Sequence, residues 1–224
     1  MSTMQHIVKI SEVFQVTHDV KCFRLEKPEG YSFHPGQATD LSIHQPGMEE
    51  ETRPFTFTAL ADKPYLEFTI KRYPDHHGIT DRLHQLKPGD ELILRDVWGA
   101  IEYRGAGYFI AGGAGITPFI AILRSLQAQK KAAGNKLFFS NKTSSDIIYK
   151  EELENILGAD AVFVLTREQK EGYIHGRIDA DFIRTKMTDL KKLFYICGPD
   201  PMVNELVNAV REAGASPEAL VFEK

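Results

Sequence analysis

The chain has 224 residues, with 27 Lys and Arg against 31 Asp and Glu, and a formal net charge of -4. That balance argues against a nucleic-acid binder, which needs a basic excess clustered on one face, and the length allows two domains of roughly 100 residues, each with its own core. The sequence MSTMQHIVKISEVF lacks a signal-peptide core, no apolar run approaches the ~20 residues of a membrane span, and Cys22 and Cys197 are too few for zinc or an iron–sulfur cluster. The expectation is a soluble cytoplasmic protein with reduced thiols, no bound metal and no membrane partner.

The first hundred residues alternate as strands do. HIVKISEVF, KCFRLEKP, ATDLSIHQ, FTFTAL, LEFTIKRY and ELILRDV are short and rich in Val, Ile, Phe and Thr, with turn signals between them at Pro28-Glu-Gly30, Pro35-Gly36, Gln45-Pro-Gly47 and Pro88-Gly-Asp90. Their close spacing predicts an antiparallel barrel or sandwich, broken by one helix from Ile79 to Leu86 that Gly78 opens. Past Arg104-Gly-Ala-Gly107 strands alternate with helices: GYFIA, then a helix from Thr117; KLFFS, then SSDIIYKEELENIL; AVFVLT, then a loop and ADFIRTKM; KLFYIC, then PMVNELVNAVREAG; and finally ALVF. This is the pattern of a doubly wound parallel sheet, so the chain divides into a barrel domain, 1–104, and an α/β lobe, 105–224.

The stretch GGAGITPFIAIL, Gly112 to Leu123, joins a strand to a helix through glycines. Glycine lets backbone approach an anion closely, and a helix N-terminus favours negative charge. Thr117 is the expected N-cap, and Pro118 sits where a missing N–H is harmless. Ala114 and Thr117 stand where the G-x-G-x-x-G pattern wants glycine, and a tight turn with no ligand also favours glycine. A second unusual strand end, Cys197-Gly198-Pro199-Asp200-Pro201-Met202, strengthens the phosphate reading, because parallel sheets bind ligands at their carboxyl edge. Cys197 is otherwise a small buried residue.

With these elements in order, the chain resembles the ferredoxin-NADP reductase family of two-domain flavoenzymes over nearly its whole length. Arg53-Pro54-Phe55-Thr56 resembles the family's R-x-Y-S/T flavin motif, Gly112-Gly113-Ala114-Gly115-Ile116-Thr117-Pro118 its pyrophosphate loop, and Cys197-Gly198-Pro199 its nicotinamide-side turn. The resemblance implies a flavin-binding β-barrel followed by a pyridine-nucleotide lobe. Arg53 would pair with the flavin diphosphate, and Thr56 would offer its hydroxyl to flavin N5. Phe55, in place of the usual Tyr, would pack without a phenol hydrogen bond. Gly78-Ile79-Thr80 would present N–H groups to the diphosphate, and Lys71 joins the cofactor-binding set. Gly113, Gly115 and Thr117 would embrace the nucleotide pyrophosphate, with Cys197 beside the nicotinamide; Thr56 and Cys197 are thus the expected catalytic pair.

The resemblance extends to Thr166-Arg167 and Tyr173, similar to the family's Ser-Arg and Tyr set for the 2′-phosphate and adenine, which implies NADPH over NADH. Glu171 departs from the family's lysine two residues before the tyrosine, and Asn141-Lys142 offers another cation. The short segments around Gln45-Pro-Gly-Met-Glu-Glu50 and Ala61-Asp-Lys-Pro64 leave little to wrap an adenosine, so FAD is expected with FMN as the alternative. Against the family pattern, no appended iron–sulfur domain is expected, nor a terminal aromatic over the flavin, since Phe222 reads as part of the last strand. His76-His77 are read as lining the flavin entrance or solvent rather than as a metal pair. Lys71-Arg72 with Arg82 are read as a docking face for an acidic electron carrier or as solvated surface. The expected activity is an NAD(P)H-dependent reductase passing electrons to a small carrier such as flavodoxin or ferredoxin. The alternatives are a flavin reductase or diaphorase with a small-molecule acceptor, and a non-catalytic nucleotide-binding or electron-entry subunit.

Overall fold

The computed structural model describes residues 5–74, 78–99 and 101–222. They fall into two compact units that divide after Gly99. His76 and His77 lie outside the described residues.

The first unit contains β1 (His6–Thr17), β2 (Val20–Glu26), β3 (Ala38–Ile43), β4 (Arg53–Thr56), β5 (Tyr65–Lys71), the short helix α1 (Ile79–Leu83) and β6 (Glu91–Trp98). The strands form one sheet in the order β4-β3-β6-β1-β2-β5, with every neighbouring pair antiparallel. A bridge between Phe57 and Phe68 joins the chain leaving β4 to β5, so the two edges of the sheet meet as in a barrel. Inward residues Phe23, Leu25, Leu41, Phe68, Leu92 and Leu94 make the core with Phe57, and Phe33 stacks on Phe57 with ring centroids 4.0 Å apart. Ile79 and Leu83 of α1 plug the same core.

Two predicted elements differ here from those observed. The strand expected over FTFTAL begins earlier, at Arg53, and ends at Thr56. Pro54 has no N–H to donate, which suits it to the edge position that β4 occupies, and the chain turns inward at Phe57. The helix expected to Leu86 stops at Leu83, because Gln85 and Leu86 donate to the carbonyls of Arg82 and Leu83 in tighter turns that drop Leu86 into the core before Pro88.

The second unit contains β7 (Gly107–Gly112), α2 (Thr117–Ala128), β8 (Lys136–Asn141), α3 (Lys150–Leu157), β9 (Ala161–Leu165), β10 (Ile174–His175), α4 (Ala180–Lys186), β11 (Leu193–Cys197), α5 (Asp200–Glu212) and β12 (Leu220–Phe222). All pairs are parallel, in the order β10-β9-β8-β7-β11-β12. From β7 the chain winds outward through β8 and β9, then crosses back to β11 on the other side of β7. The carboxyl ends of β7 and β11 are therefore the switch point at which such sheets open a ligand crevice. Helices α4 and α5 cover the face carrying Ile110, Phe138, Val164, Phe194 and Ile196. On the opposite face Phe119 of α2 meets Phe109 edge-on at 5.1 Å, and Phe109 stacks on Tyr195 at 4.5 Å.

The helix expected from Ser144 to Leu157 is interrupted. Thr143 and Asp146 close a reciprocal capping box around a 3-10 turn, Ile147 and Ile148 bury themselves, and α3 starts only after Tyr149 at a left-handed φ of 52°. Strand β10, two residues long, carries too little pattern to be seen in the sequence. Among the described residues no helix is long and apolar enough to cross a membrane.

The barrel also buries a titratable group. His84 is 8% exposed and donates from Nε2 to the Ile70 carbonyl at 2.8 Å. Burial holds its pKa below the ordinary 6.5, helped by Lys21 and Arg72, and outweighs the opposing hydrogen bond to the Ile70 carbonyl and the pull of Asp19. The unfolded chain thus takes up a proton near pH 6.5 that the folded chain refuses, so stability is intact above that pH and falls as pH drops below it. Urea melts at pH 7.5 and 5.5 should show the parent losing stability between the two, and His84→Gln should lose less. Equal losses would remove His84 as the cause.

Candidate functional site

Three sequence motifs fall in the lobe, and its fold brings two of them into contact. Strand β7 runs into a 3-10 turn, Gly113–Ile116, that leads directly into α2, while β11 ends on Cys197 before the Gly198-Pro199 turn into α5. A Cβ built on Gly115 would stand 2.5 Å from the Cys197 carbonyl oxygen and 2.6 Å from Gly198 Cα, so only glycine lets the two turns lie this close. Gly113 differs: it holds a φ of +52°, and a Cβ there would meet nothing within 4 Å, which makes it the open floor of the cradle. Cys197 is a half-buried thiol at the rim of this contact.

Thr117 is not the N-cap that the sequence predicts. It is the first residue of α2, and its hydroxyl donates backward to the Ala114 carbonyl at 3.1 Å instead of accepting from the first turn. The 3-10 turn before it moves the helix start one residue earlier. Pro118 occupies the tolerant first turn as expected.

The third motif follows β9. Thr166 donates from both its amide and its hydroxyl to the Asn141 carbonyl, at 2.9 and 3.2 Å, and the Arg167 amide donates to the Lys142 carbonyl at 2.9 Å. The loops after β8 and β9 are thereby laced together. Arg167 and Lys142 are exposed, and neither is ion-paired among the described residues. Tyr173 is half-buried, with Lys150 Nζ 5.8 Å and Lys170 Nζ 5.7 Å from its ring centroid. Glu171 faces solvent. Glu168 accepts from the Ser144 amide, which holds its carboxyl below the usual range, and Lys170 donates to the Ser144 hydroxyl at 2.9 Å. Sequence reading missed Lys150 and Lys170. Lys170 was within reach as the neighbour of the departing Glu171, whereas Lys150 arrives from α3 by tertiary packing alone.

In the barrel, Arg53 is exposed at the start of edge strand β4, and among the described residues it donates only to the Thr52 carbonyl at 2.7 Å, so most of its guanidinium donors face outward. Pro54 is exposed, and Thr56 is half-buried and paired with Ala38. Phe55, one residue out of phase with both, packs its half-buried ring against the barrel core. Gly78 caps α1 and accepts from the amides of Asp81 and Arg82, Thr80 is half-buried, and the Ile79 side chain belongs to the core, leaving only its backbone for a ligand. Lys71 is taken up by Asp19 at 2.7 Å, Arg72 by Asp81 at 2.6 Å, and Arg82 donates to Met48 Sδ at 3.0 Å. These three cations therefore stabilise the barrel surface around α1. The donor set suits a diphosphate at Arg53, with a hydroxyl at the open strand end of Thr56.

Comparison with known proteins agrees with both halves. Residues 7–103 match the oxidoreductase FAD-binding domain, and residues 109–208 match the oxidoreductase NAD-binding domain. The chain is 27% identical to the reductase component of propane 2-monooxygenase from Rhodococcus jostii, over 96% of this chain and 62% of that protein, so it spans less than two thirds of that relative. It is 32% identical to NADH-cytochrome b5 reductase 1 from Coccidioides immitis, over 92% of this chain and 74% of that protein. A ferredoxin NADP+ reductase from Neisseria gonorrhoeae, solved with bound FAD and NADP, shares the fold with a TM-score of 0.83 at 20% identity, covering 98% of each chain.

Gly115→Ala tests the contact between the two turns. The added methyl should push the Cys197 turn aside and slow flavin reduction by nicotinamide on the order of 10²-fold, the usual effect of a ~1 Å misplacement, while flavin content stays at the parental level. Parental rates in stopped-flow reduction would show that the close approach is dispensable.

Proposed function

The chain belongs to the ferredoxin-NADP reductase-like family of FAD- and NAD-binding oxidoreductases, and on that premise we propose that it is a reductase taking hydride from a reduced nicotinamide dinucleotide and delivering electrons to a small carrier protein. Residues 1–104 hold FAD in this reading and residues 105–224 hold the nucleotide. The observation that carries it is the contact of the Gly113–Ile116 turn with the Cys197-Gly198 turn at the carboxyl ends of adjacent strands, where a dinucleotide finds a diphosphate cradle beside a small, soft side chain.

When bound, FAD supplies the chemistry that accepts a hydride and releases its electrons to an acceptor. Arg53 holds the flavin diphosphate by charge-assisted hydrogen bonds, and the Thr56 hydroxyl donates toward N5. Cys197 leaves room beside the nicotinamide, so that the residues set distance and alignment and no acid or base is required. Arg167 meets the 2′-phosphate, and Tyr173 offers its ring to the adenine. The exposed guanidinium of Arg167, with Glu171 turned to solvent, favours NADPH over NADH. A small redox protein as acceptor is supported by the relative named NADH-cytochrome b5 reductase 1, and delivery to a protein partner also by the relative named as the reductase component of a monooxygenase.

The purified protein should be yellow and lose its flavin absorption on anaerobic addition of NADPH. A colourless protein that takes up no FAD would overturn the reading. Arg53→Ala should weaken FAD binding about 10- to 100-fold, the equivalent of one charge-assisted hydrogen bond, and parental affinity by fluorescence titration would remove Arg53 from the site. Arg167→Ala should lower kcat/KM for NADPH about 10-fold or more and leave NADH nearly unaffected. Equal parental use of both cofactors, or equal losses in the variant, would exclude this loop as the reader of the 2′-phosphate.

A further inference from the structure

Strand β8 ends on a buried amide. Asn141 is 5% exposed, and among the described residues neither Nδ2 nor Oδ1 of its side chain has a hydrogen-bond partner. Packing alone would favour an aliphatic side chain of the same volume here, because a buried carboxamide without partners has given up its hydration for nothing. The lobe satisfies such a group elsewhere: Asn135, 2% exposed, accepts from the Gly107 amide at 3.1 Å and donates to the Ala132 carbonyl at 3.0 Å.

The position of Asn141 gives the orphaned amide a purpose. Gly112 pairs with Ser140 and Leu165 pairs with Asn141, so the side chain stands level with Gly113 on one side and with the end of β9 on the other. Phe138, three residues back, faces the α4 and α5 layer, which by strand alternation puts Asn141 on the face where α2 packs. Strand β8 also packs against the Gly113–Ile116 turn that opens this twelve-residue helix. The Asn141 carbonyl, which takes both donors of Thr166, anchors the residue between the turn and the loop after β9.

We propose that Asn141 is a nucleotide-binding residue whose carboxamide is satisfied by the dinucleotide diphosphate. Seating the diphosphate reorients the Gly113–Ile116 turn over the end of β8, with the permissive Gly113 as its joint. The Nδ2 group then donates to a phosphate oxygen, and Oδ1 accepts a backbone N–H of the reoriented turn. This rests on the reading of Gly112–Pro118 as a diphosphate turn. A neutral amide suits both tasks, whereas aspartate would repel the phosphate and leucine would fill the space while offering neither bond.

The test uses the full FAD-loaded chain with Asn141→Leu and Asn141→Asp. Melting temperatures are taken without nucleotide, and affinities for NADP+ and NAD+ are measured by calorimetry. The leucine variant should melt no lower than the parent and bind both nucleotides about 10-fold more weakly, to the same degree because the diphosphate is common to both, and the aspartate variant should bind at least as weakly as leucine. Parental affinity in the leucine variant, with or without a lower melting temperature, marks Asn141 as structural and overturns the proposal. So does a loss confined to NADP+, which would place the effect at the 2′-phosphate. Hydrogen exchange on the parent gives an arm independent of the variants: adding NADP+ should change protection of the 113–116 amides, and unchanged protection overturns the proposal. A parent that binds neither nucleotide removes the diphosphate reading itself, whereas a binding parent with an unaltered leucine variant removes only Asn141.

Discussion

The organisation of the lobe depends on one steric fact, the approach of the Gly115 backbone to Cys197 and Gly198 at a distance that leaves no room for a side chain. Strands β7 and β11 are neighbours in the sheet but far apart in the chain, and each must turn into a helix at the same edge. Glycine on both sides lets the two turns pack against each other. The other features of the cradle lie beside that contact: the half-buried Gly113, where a side chain would meet nothing, the helix start behind it, and a thiol at the rim. The chemistry assigned to the site needs alignment more than reactive side chains, so a close-packed junction is a suitable foundation.

The loops after β8 and β9 extend the same edge by a different device. Backbone and hydroxyl donors of Thr166 converge on one carbonyl, and the carboxylate and lysine of Glu168 and Lys170 grip Ser144 across the gap. Because backbone groups, Thr166, Glu168 and Lys170 hold the loops together, the side chains of Arg167 and Lys142 need not take part and stay exposed. Lys150 and Lys170 flank Tyr173 but are balanced by Glu154 and Glu168, so among the described residues of these loops Arg167 and Lys142 are the cations left to meet a polyanion. A net charge of -4 for the chain is no obstacle, since the field near a site is set by its own cations within a Debye length of about 8 Å.

The barrel distributes its charges in the opposite way. Lys71 and Arg72, which the sequence offers as docking or cofactor groups, are neutralised by Asp19 and Asp81, and Arg24 lies between Glu12 and the buried Glu67. Arg53 stands apart from these pairs, on an edge strand whose Pro54 leaves the ladder incomplete. Its exposed guanidinium is the group that the proposed reading gives to the flavin diphosphate.

The two-domain order, the strand-rich first half, the βα rhythm of the second and the three motifs were all legible in the sequence. Each is written in local signals: alternation, turn residues and glycines at strand ends. Element limits were less legible. Thr117 starts α2 instead of capping it, α1 stops at Leu83, and Tyr149 breaks the helix expected from Ser144, because neighbouring turns and core positions override local preference. The sequence showed Arg53, Arg167 and Tyr173 as residue types suited to phosphate and adenine. It showed neither that Lys71 is already paired nor that Lys150 from α3 reaches Tyr173, and it did not show that Asn141 carries a buried amide without a partner. Those facts were decided by tertiary structure, since hydrogen-bond and charge satisfaction depend on groups distant in the chain, and no local pattern records which partner a folded side chain meets.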